Sequence, residues 1–110
     1  MERSHERRRV PRASLDVYLK ETSFCEQRLC RSVDISASGI RYGTGLAAPE
    51  RGGDDVLLEF TLPDDKRPVQ VLGQVVRDTA GVRFKQTSVV FTALRQDDAV
   101  RLRRYLERAA

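Results

Sequence analysis

Tryptophan is absent from this chain of 110 residues, histidine occurs once (His5) and cysteine twice (Cys25 and Cys30). Two cysteines cannot build a disulfide framework, although their spacing leaves a single bridge open. Both read as reduced thiols of a cytoplasmic protein. A structural zinc site takes about four ligands, mostly Cys and His, so no metal site is expected. A lone histidine has no nucleophile fixed beside it, and Ser36 has no evident base, so the chain reads as a non-enzyme. No apolar run approaches the roughly 20 residues of a membrane span, and the charged N-terminus lacks the apolar core of a signal peptide. The expected location is the cytoplasm, without membrane insertion. Aromatic residues make up only 6% of the chain, so its core must rest on Val, Leu and Ile.

What the sequence has in excess is arginine. Arg supplies 17 of the 20 basic residues, in a chain of net charge +4. Most of these positions are ordinary solvated charges. The N-terminal group differs, because Arg3, Arg7, Arg8, Arg9 and Arg12 face only Glu2 and Glu6. Like charges crowded that closely repel unless an anion joins them. Residues 1–12 show no trustworthy periodicity and read as a flexible arm, with Pro11 biasing Val10 toward an extended backbone.

From Leu15 onward the pattern alternates. Leu15, Val17 and Leu19 fall on one face and Asp16, Tyr18 and Lys20 on the other, which predicts a half-buried strand. Residues 21–23 are expected to turn, and a second strand over 24–35 should point Leu29, Val33 and Ile35 inward. A third strand spans 40–42, and 43–54 has loop composition. Val56, Leu58, Phe60 and Leu62 mark the clearest strand, ended by turn residues at 63–68. Val69, Val71 and Val75 follow, with Gly73 as a bulge or tight bend, and Val82 and Phe84 supply the inward face of a sixth strand. Several short strands with turns between them predict a closed or nearly closed barrel. The period then changes: Leu94, Ala99, Leu102, Tyr105 and Leu106 outline an amphipathic helix over about 92–108, with Thr92 or Asp97 as N-cap. That helix is expected to plug or flank the barrel. The fold class is therefore all-β with a C-terminal helix, as one domain over 13–110 preceded by the arm.

One further segment, Asp34-Ile35-Ser36-Ala37-Ser38-Gly39, places a carboxylate and a hydroxyl two residues apart. Side chains at that spacing share a face of a strand, so Asp34 and Ser36 are expected on the outer surface if Val33 and Ile35 point in. Gly39 marks either positive φ or a close approach. Arginine forks match phosphate oxygens and the O6/N7 edge of guanine. Asp34 adds an acceptor for the guanine N1–H and amine. The arm and this segment together therefore read as addressing one guanine nucleotide.

The pairing of Arg8-Arg9-Val10-Pro11-Arg12 with Asp34-Ile35-Ser36-Ala37-Ser38-Gly39 resembles the PilZ domain family, bacterial receptors for cyclic di-GMP, whose signatures are RxxxR and [D/N]xSxxG in that order. The resemblance implies a six-stranded antiparallel barrel that holds the ligand on its outer surface under the arginine arm. It also implies roles. Arg8 and Arg12 would clamp phosphates and a guanine edge, Asp34 and Ser36 would read the guanine, and Gly39 would leave space for the nucleotide. Arg7, just before the first motif arginine, is similar to family members that take two intercalated cyclic di-GMP molecules.

The expected function is a switch without cofactor or chemistry: the nucleotide fastens the arm to the barrel, and an unidentified downstream protein in trans reads the altered surface. Two other readings remain. One is a PilZ-like adaptor that binds no nucleotide. The weaker one is a small basic barrel for RNA or single-stranded DNA, whose platform of aromatic residues is sparse here.

Overall fold

The computed structural model describes residues 11–45, 52–80 and 84–109. Among the described residues, seven strands precede one helix: β1 (Arg12–Ser14), β2 (Tyr18–Ser23), β3 (Glu26–Ser36), β4 (Gly39–Gly45), β5 (Asp55–Phe60), β6 (Val69–Ala80), β7 (Phe84–Leu94) and α1 (Gln96–Ala109). All pairings are antiparallel, in the order β1-β3-β2-β5-β6-β7-β4. A further β3–β4 ladder closes the sheet on itself. Six strands, β2 to β7, make the barrel. β1 and β2 lie along the same long strand β3, β1 beside residues 34–36 and β2 beside residues 26–31. The gap between them is bridged by Leu15 N–H to Val33 O and Ser32 N–H to Val17 O. Closure leaves few strand edges unpaired, so the ladder groups are satisfied within the chain.

The clearest alternation in the sequence is realised in full: Val56, Leu58, Phe60 and Leu62 are all buried, as are Val69, Val71 and Val75. Leu15 and Leu19 join the same core, with Leu102 and Leu106 of α1. α1 begins at Gln96, four residues later than the period suggested, because Thr92 and Leu94 continue β7. Neither Thr92 nor Asp97 is therefore the N-cap; that position falls to Arg95, whose carbonyl accepts the Ala99 amide at 2.8 Å. The helix is pinned to the β5–β6 connection by Arg101 to Asp65 (2.6 Å) and by Arg108 to Asp64. Tyr105 reaches β1, donating to Ser14 O at 3.1 Å.

β3 departs from its expected phase. Leu29 is 72% and Val33 40% exposed, whereas Cys30 and Ser32 point inward. The cause is a bulge: the register with β4 shifts between Ser32 and Asp34, and Val33 is the extra residue. Only beyond the bulge does Ile35 return to the core, so the strand presents opposite parities on its two sides. Gly73 does sit at a register shift, between β6 and β7. Cys25 is exposed and Cys30 buried, both as free thiols.

Residues 21–23 are not a turn. β2 runs through Ser23, the connection is Phe24-Cys25, and Glu21 has no exposed surface. Its carboxylate accepts the Tyr42 hydroxyl and, at 3.4 Å, Arg28 Nη1. Farther round the barrel, Lys85 Nζ lies 3.1 Å from Asp78 Oδ2, and Thr87 Oγ1 donates to Asp78 Oδ1 at 2.6 Å. The interior thus has an apolar half beneath α1 and a polar half at the end where the Phe24-Cys25 connection lies. Val82 lies outside the described residues.

Candidate functional site

The β3–β4 hairpin builds the site. Ile35 pairs with Ile40 and Asp34 with Arg41, leaving Ala37-Ser38 as a two-residue connection. Ser36 organises that connection: its Oγ accepts the Ser38 amide at 3.2 Å and contacts Gly39 O at 3.4 Å. This local side-chain-to-backbone bond is what serine offers at turns. Ser36 is consequently wholly buried rather than presented on the surface.

Gly39 lacks positive φ. Its need is close approach, because a Cβ there would stand 2.5 Å from the Val89 carbonyl oxygen of β7. Gly39 pairs with Val90 and Arg41 with Ser88, so β4 and β7 lie backbone against backbone beside the turn. Phe91 N–H closes the corner by donating to Ser38 O at 2.8 Å.

Asp34 points outward and is held by two arginines from different strands. Arg12, the first residue of β1, pairs with Ser36, so its side chain meets Asp34 on the diagonal. Arg12 Nη2 donates to Asp34 Oδ1 at 2.8 Å. Arg41 Nε lies 3.0 Å from Oδ1 and 3.1 Å from Oδ2, and its Nη2 also donates to Oδ2. The Arg41 fork, helped by Arg12, holds the Asp34 carboxyl below the usual carboxylate range, against the opposing pull of partial burial. The carboxylate in turn raises Arg41. Hydrogen bonds from cations favour the ionised form, so Asp34 is an acceptor at any ordinary pH.

Beside this trio lies an open depression of about 340 Å³, lined by Arg12, Ser38, Gly39, Ile40, Arg41, Val76, Ser88, Val89 and Val90. One wall carries two guanidinium groups. The lining also has an apolar part, with Val76 56% and Val90 43% exposed. Such a surface can take a planar, polar-edged ring together with an anionic group.

Of the residues singled out in the sequence, Arg12, Asp34, Ser36 and Gly39 come together within one hairpin and its neighbour strand. Arg7 and Arg8 lie outside the described residues, as does all of the expected arm up to Val10. Arg41 was missed. Its signal was available in the hairpin arithmetic, since a two-residue connection after Ser36 sets residue 41 opposite residue 34. Among the described residues no cluster of three or more His, Cys, Asp or Glu is placed to hold a metal ion, and no helix is long and apolar enough to cross a membrane.

Residues 2–108 match the model of the PilZ domain family. Among curated proteins, none is similar enough in sequence to match. Solved structures do match. The Bacillus subtilis inhibitor of motility, MotI/DgrA, superposes with a TM-score of 0.82 at 18% identity, covering 91% of this chain and 49% of that one. The PilZ domain of Escherichia coli YcgR, solved with c-di-GMP, gives 0.75 at 17% identity, covering 94% and 91%. A tetrameric PilZ protein from Xanthomonas campestris gives 0.56 at 19% identity, covering 78% and 47%. The chain spans about half the length of the first and third of these. At such identities the likeness speaks for the fold, a closed six-stranded antiparallel barrel with a C-terminal helix.

Proposed function

The chain belongs to the PilZ domain family, and from that premise we propose that it is a receptor for cyclic di-GMP that signals to a partner protein. The observation that carries this reading is Asp34 held between Arg12 and Arg41 at the rim of an open depression. A carboxylate kept ionised accepts the N1–H or amine of guanine, and a guanidinium released beside it meets phosphate or the O6/N7 edge. Few other ligands combine those edges with negative charge. The c-di-GMP held by the YcgR domain supports the same ligand class for this fold.

In this reading Arg8 and Arg12 clamp the ligand, Asp34 reads the base, and Ser36 and Gly39 shape the turn that presents Asp34. Arg7 favours a second, intercalated ligand molecule. Residues 1–12 close over the nucleotide as an arm, and the surface so changed is what the partner recognises. The protein acts in the cytoplasm, without catalysis or cofactor.

Isothermal titration with cyclic di-GMP tests the proposal, with GTP and Arg12→Ala as controls. The expected result is saturable binding that GTP does not reproduce and that Arg12→Ala weakens at least tenfold, about the worth of one charge-assisted hydrogen bond. A stoichiometry near two supports the role of Arg7. Absence of binding at high ligand concentration overturns the receptor reading and leaves a nucleotide-independent adaptor.

A further inference from the structure

The two arginines on Asp34 are not equivalent, and the difference bears on how a ligand could enter. A carboxylate offers about four acceptor positions. Here Oδ1 takes Arg12 Nη2 and Arg41 Nε, while Oδ2 takes Arg41 Nε and Nη2. Three N–H groups thus share this carboxylate, the single Arg41 Nε–H divided between both oxygens, and at most one position is left open. A guanine that presents both its N1–H and its amine needs two positions, so an arginine contact must yield for Asp34 to read the base in full.

The geometry selects which. Arg41 grips both oxygens, and its backbone sits inside the barrel wall, paired with Asp34 on one side and Ser88 on the other. Arg12 makes a single contact with one oxygen, at the first residue of a three-residue strand that pairs with β3 alone. Losing the Arg12 contact breaks one exposed hydrogen bond; losing Arg41 breaks a two-oxygen grip held by a rigid strand. Exposed single contacts are weak, and forked ones are strong and oriented.

We propose that Arg41 is the positioning residue of the nucleotide site, fixing the Asp34 carboxylate, and that Arg12 is the exchangeable arginine, which leaves Oδ1 when a guanine N–H takes its place. The freed Arg12 then faces the depression it already lines and engages the ligand's phosphate or Hoogsteen edge. Ligand entry is thus a swap of partners on one oxygen, with no net loss of hydrogen bonds. The same exchange detaches the start of β1 from β3, and Tyr105 of α1 rests on that strand through Ser14 O. This inference rests on the receptor reading above.

The test compares wild type, Arg12→Ala, Arg41→Gln and Arg41→Lys by calorimetric titration with cyclic di-GMP between pH 2 and 8, and by carboxyl carbon NMR of Asp34 in the free proteins over the same range. Among the described residues, the charged groups facing Asp34 are Arg12 from β1 and Arg41 from β4. Arg41→Gln is expected to weaken binding about tenfold to a hundredfold at neutral pH, and to move both the Asp34 titration and the acid limb of binding to higher pH. Arg41→Lys restores the acid limb in part, because it keeps charge without the fork. Arg12→Ala weakens binding while moving the Asp34 titration less than Arg41→Gln does. A purely structural Arg41 would lower thermal stability and leave the affinity and the acid limb of binding where they are in wild type. Wild-type binding with unchanged affinity and pH profile in Arg41→Gln overturns this inference alone. A larger shift of the Asp34 titration in Arg12→Ala than in Arg41→Gln reverses the assignment and overturns it too. Failure of the wild-type chain to bind overturns the receptor reading and this inference together.

Discussion

Asp34 on the outer face and Asp78 inside the barrel are both carboxylates held by a cation and a second donor, yet their surroundings differ. The cations on Asp34 are 42% and 44% exposed, whereas Asp78 and Lys85 are 3% and 2% exposed. An ion pair open to water contributes little to stability, because each partner can trade the other for solvent. A buried pair cannot make that trade, so removing one member strands a charge. The comparison teaches that the same chemistry serves as a replaceable contact in one place and as fixed architecture in the other. The outer cluster is suited to exchange partners with a ligand; the inner one joins β6 to β7, as Glu21, Tyr42 and Arg28 join β2, β4 and β3 in the polar half of the barrel.

The largest effect should come from breaking the inner pair. Lys85→Met is expected to destabilise the fold by about 3–5 kcal/mol, the cost of breaking a buried ion pair from one side, as read by urea denaturation. Gly39→Ala should cost about 1–3 kcal/mol, because the added methyl meets a strand backbone at 2.5 Å that has no free rotamer to yield. Gly52→Ala, with open space around its Cβ position, is the matched control and should lie within about 0.5 kcal/mol of wild type. Asp34→Ala should change stability by no more than about 1 kcal/mol, while abolishing cyclic di-GMP binding. Equal destabilisation by Lys85→Met and Asp34→Ala would erase the contrast between the two clusters.

The smallest effect is on pH. The Asp34 carboxyl is lowered in the folded chain, chiefly by Arg41, so its contribution is present above the ordinary carboxylate value of about 3.9. It is lost as pH falls through the depressed folded value. The stability difference between wild type and Asp34→Ala should therefore stay constant from pH 7 to 5 and shrink only in more acidic solution, as the carboxyl protonates.

Sequence alone made the apolar half of the barrel legible, because Val56, Leu58, Phe60 and Leu62 alternate without interruption and nothing local competes with them. It misled where a single extra residue changed the parity: Val33 bulges, and Leu29 turns to solvent with it. Alternation cannot reveal a bulge that breaks the phase it is built on. The polar half was invisible for another reason. A buried glutamate or lysine reads as a surface residue until its partners are known, and Glu21 meets Tyr42 only through closure of the barrel, 21 residues along the chain. At the candidate site Arg12, Asp34 and Gly39 lie together, the turn withdraws Ser36 from the surface, and Arg7 and Arg8 lie outside the described residues. Arg41 was legible only to a count of hairpin partners.

The central claim is that the Asp34 cluster is a binding device rather than a structural one. Thermal denaturation of wild type and Asp34→Ala, each with and without cyclic di-GMP, tests it most directly. The account predicts nearly equal midpoints without ligand. It predicts that ligand raises the wild-type midpoint alone, by the equivalent of about 2.7 kcal/mol at a hundredfold excess over Kd. A wild-type midpoint that ligand does not move, or an equal rise in Asp34→Ala, would contradict it.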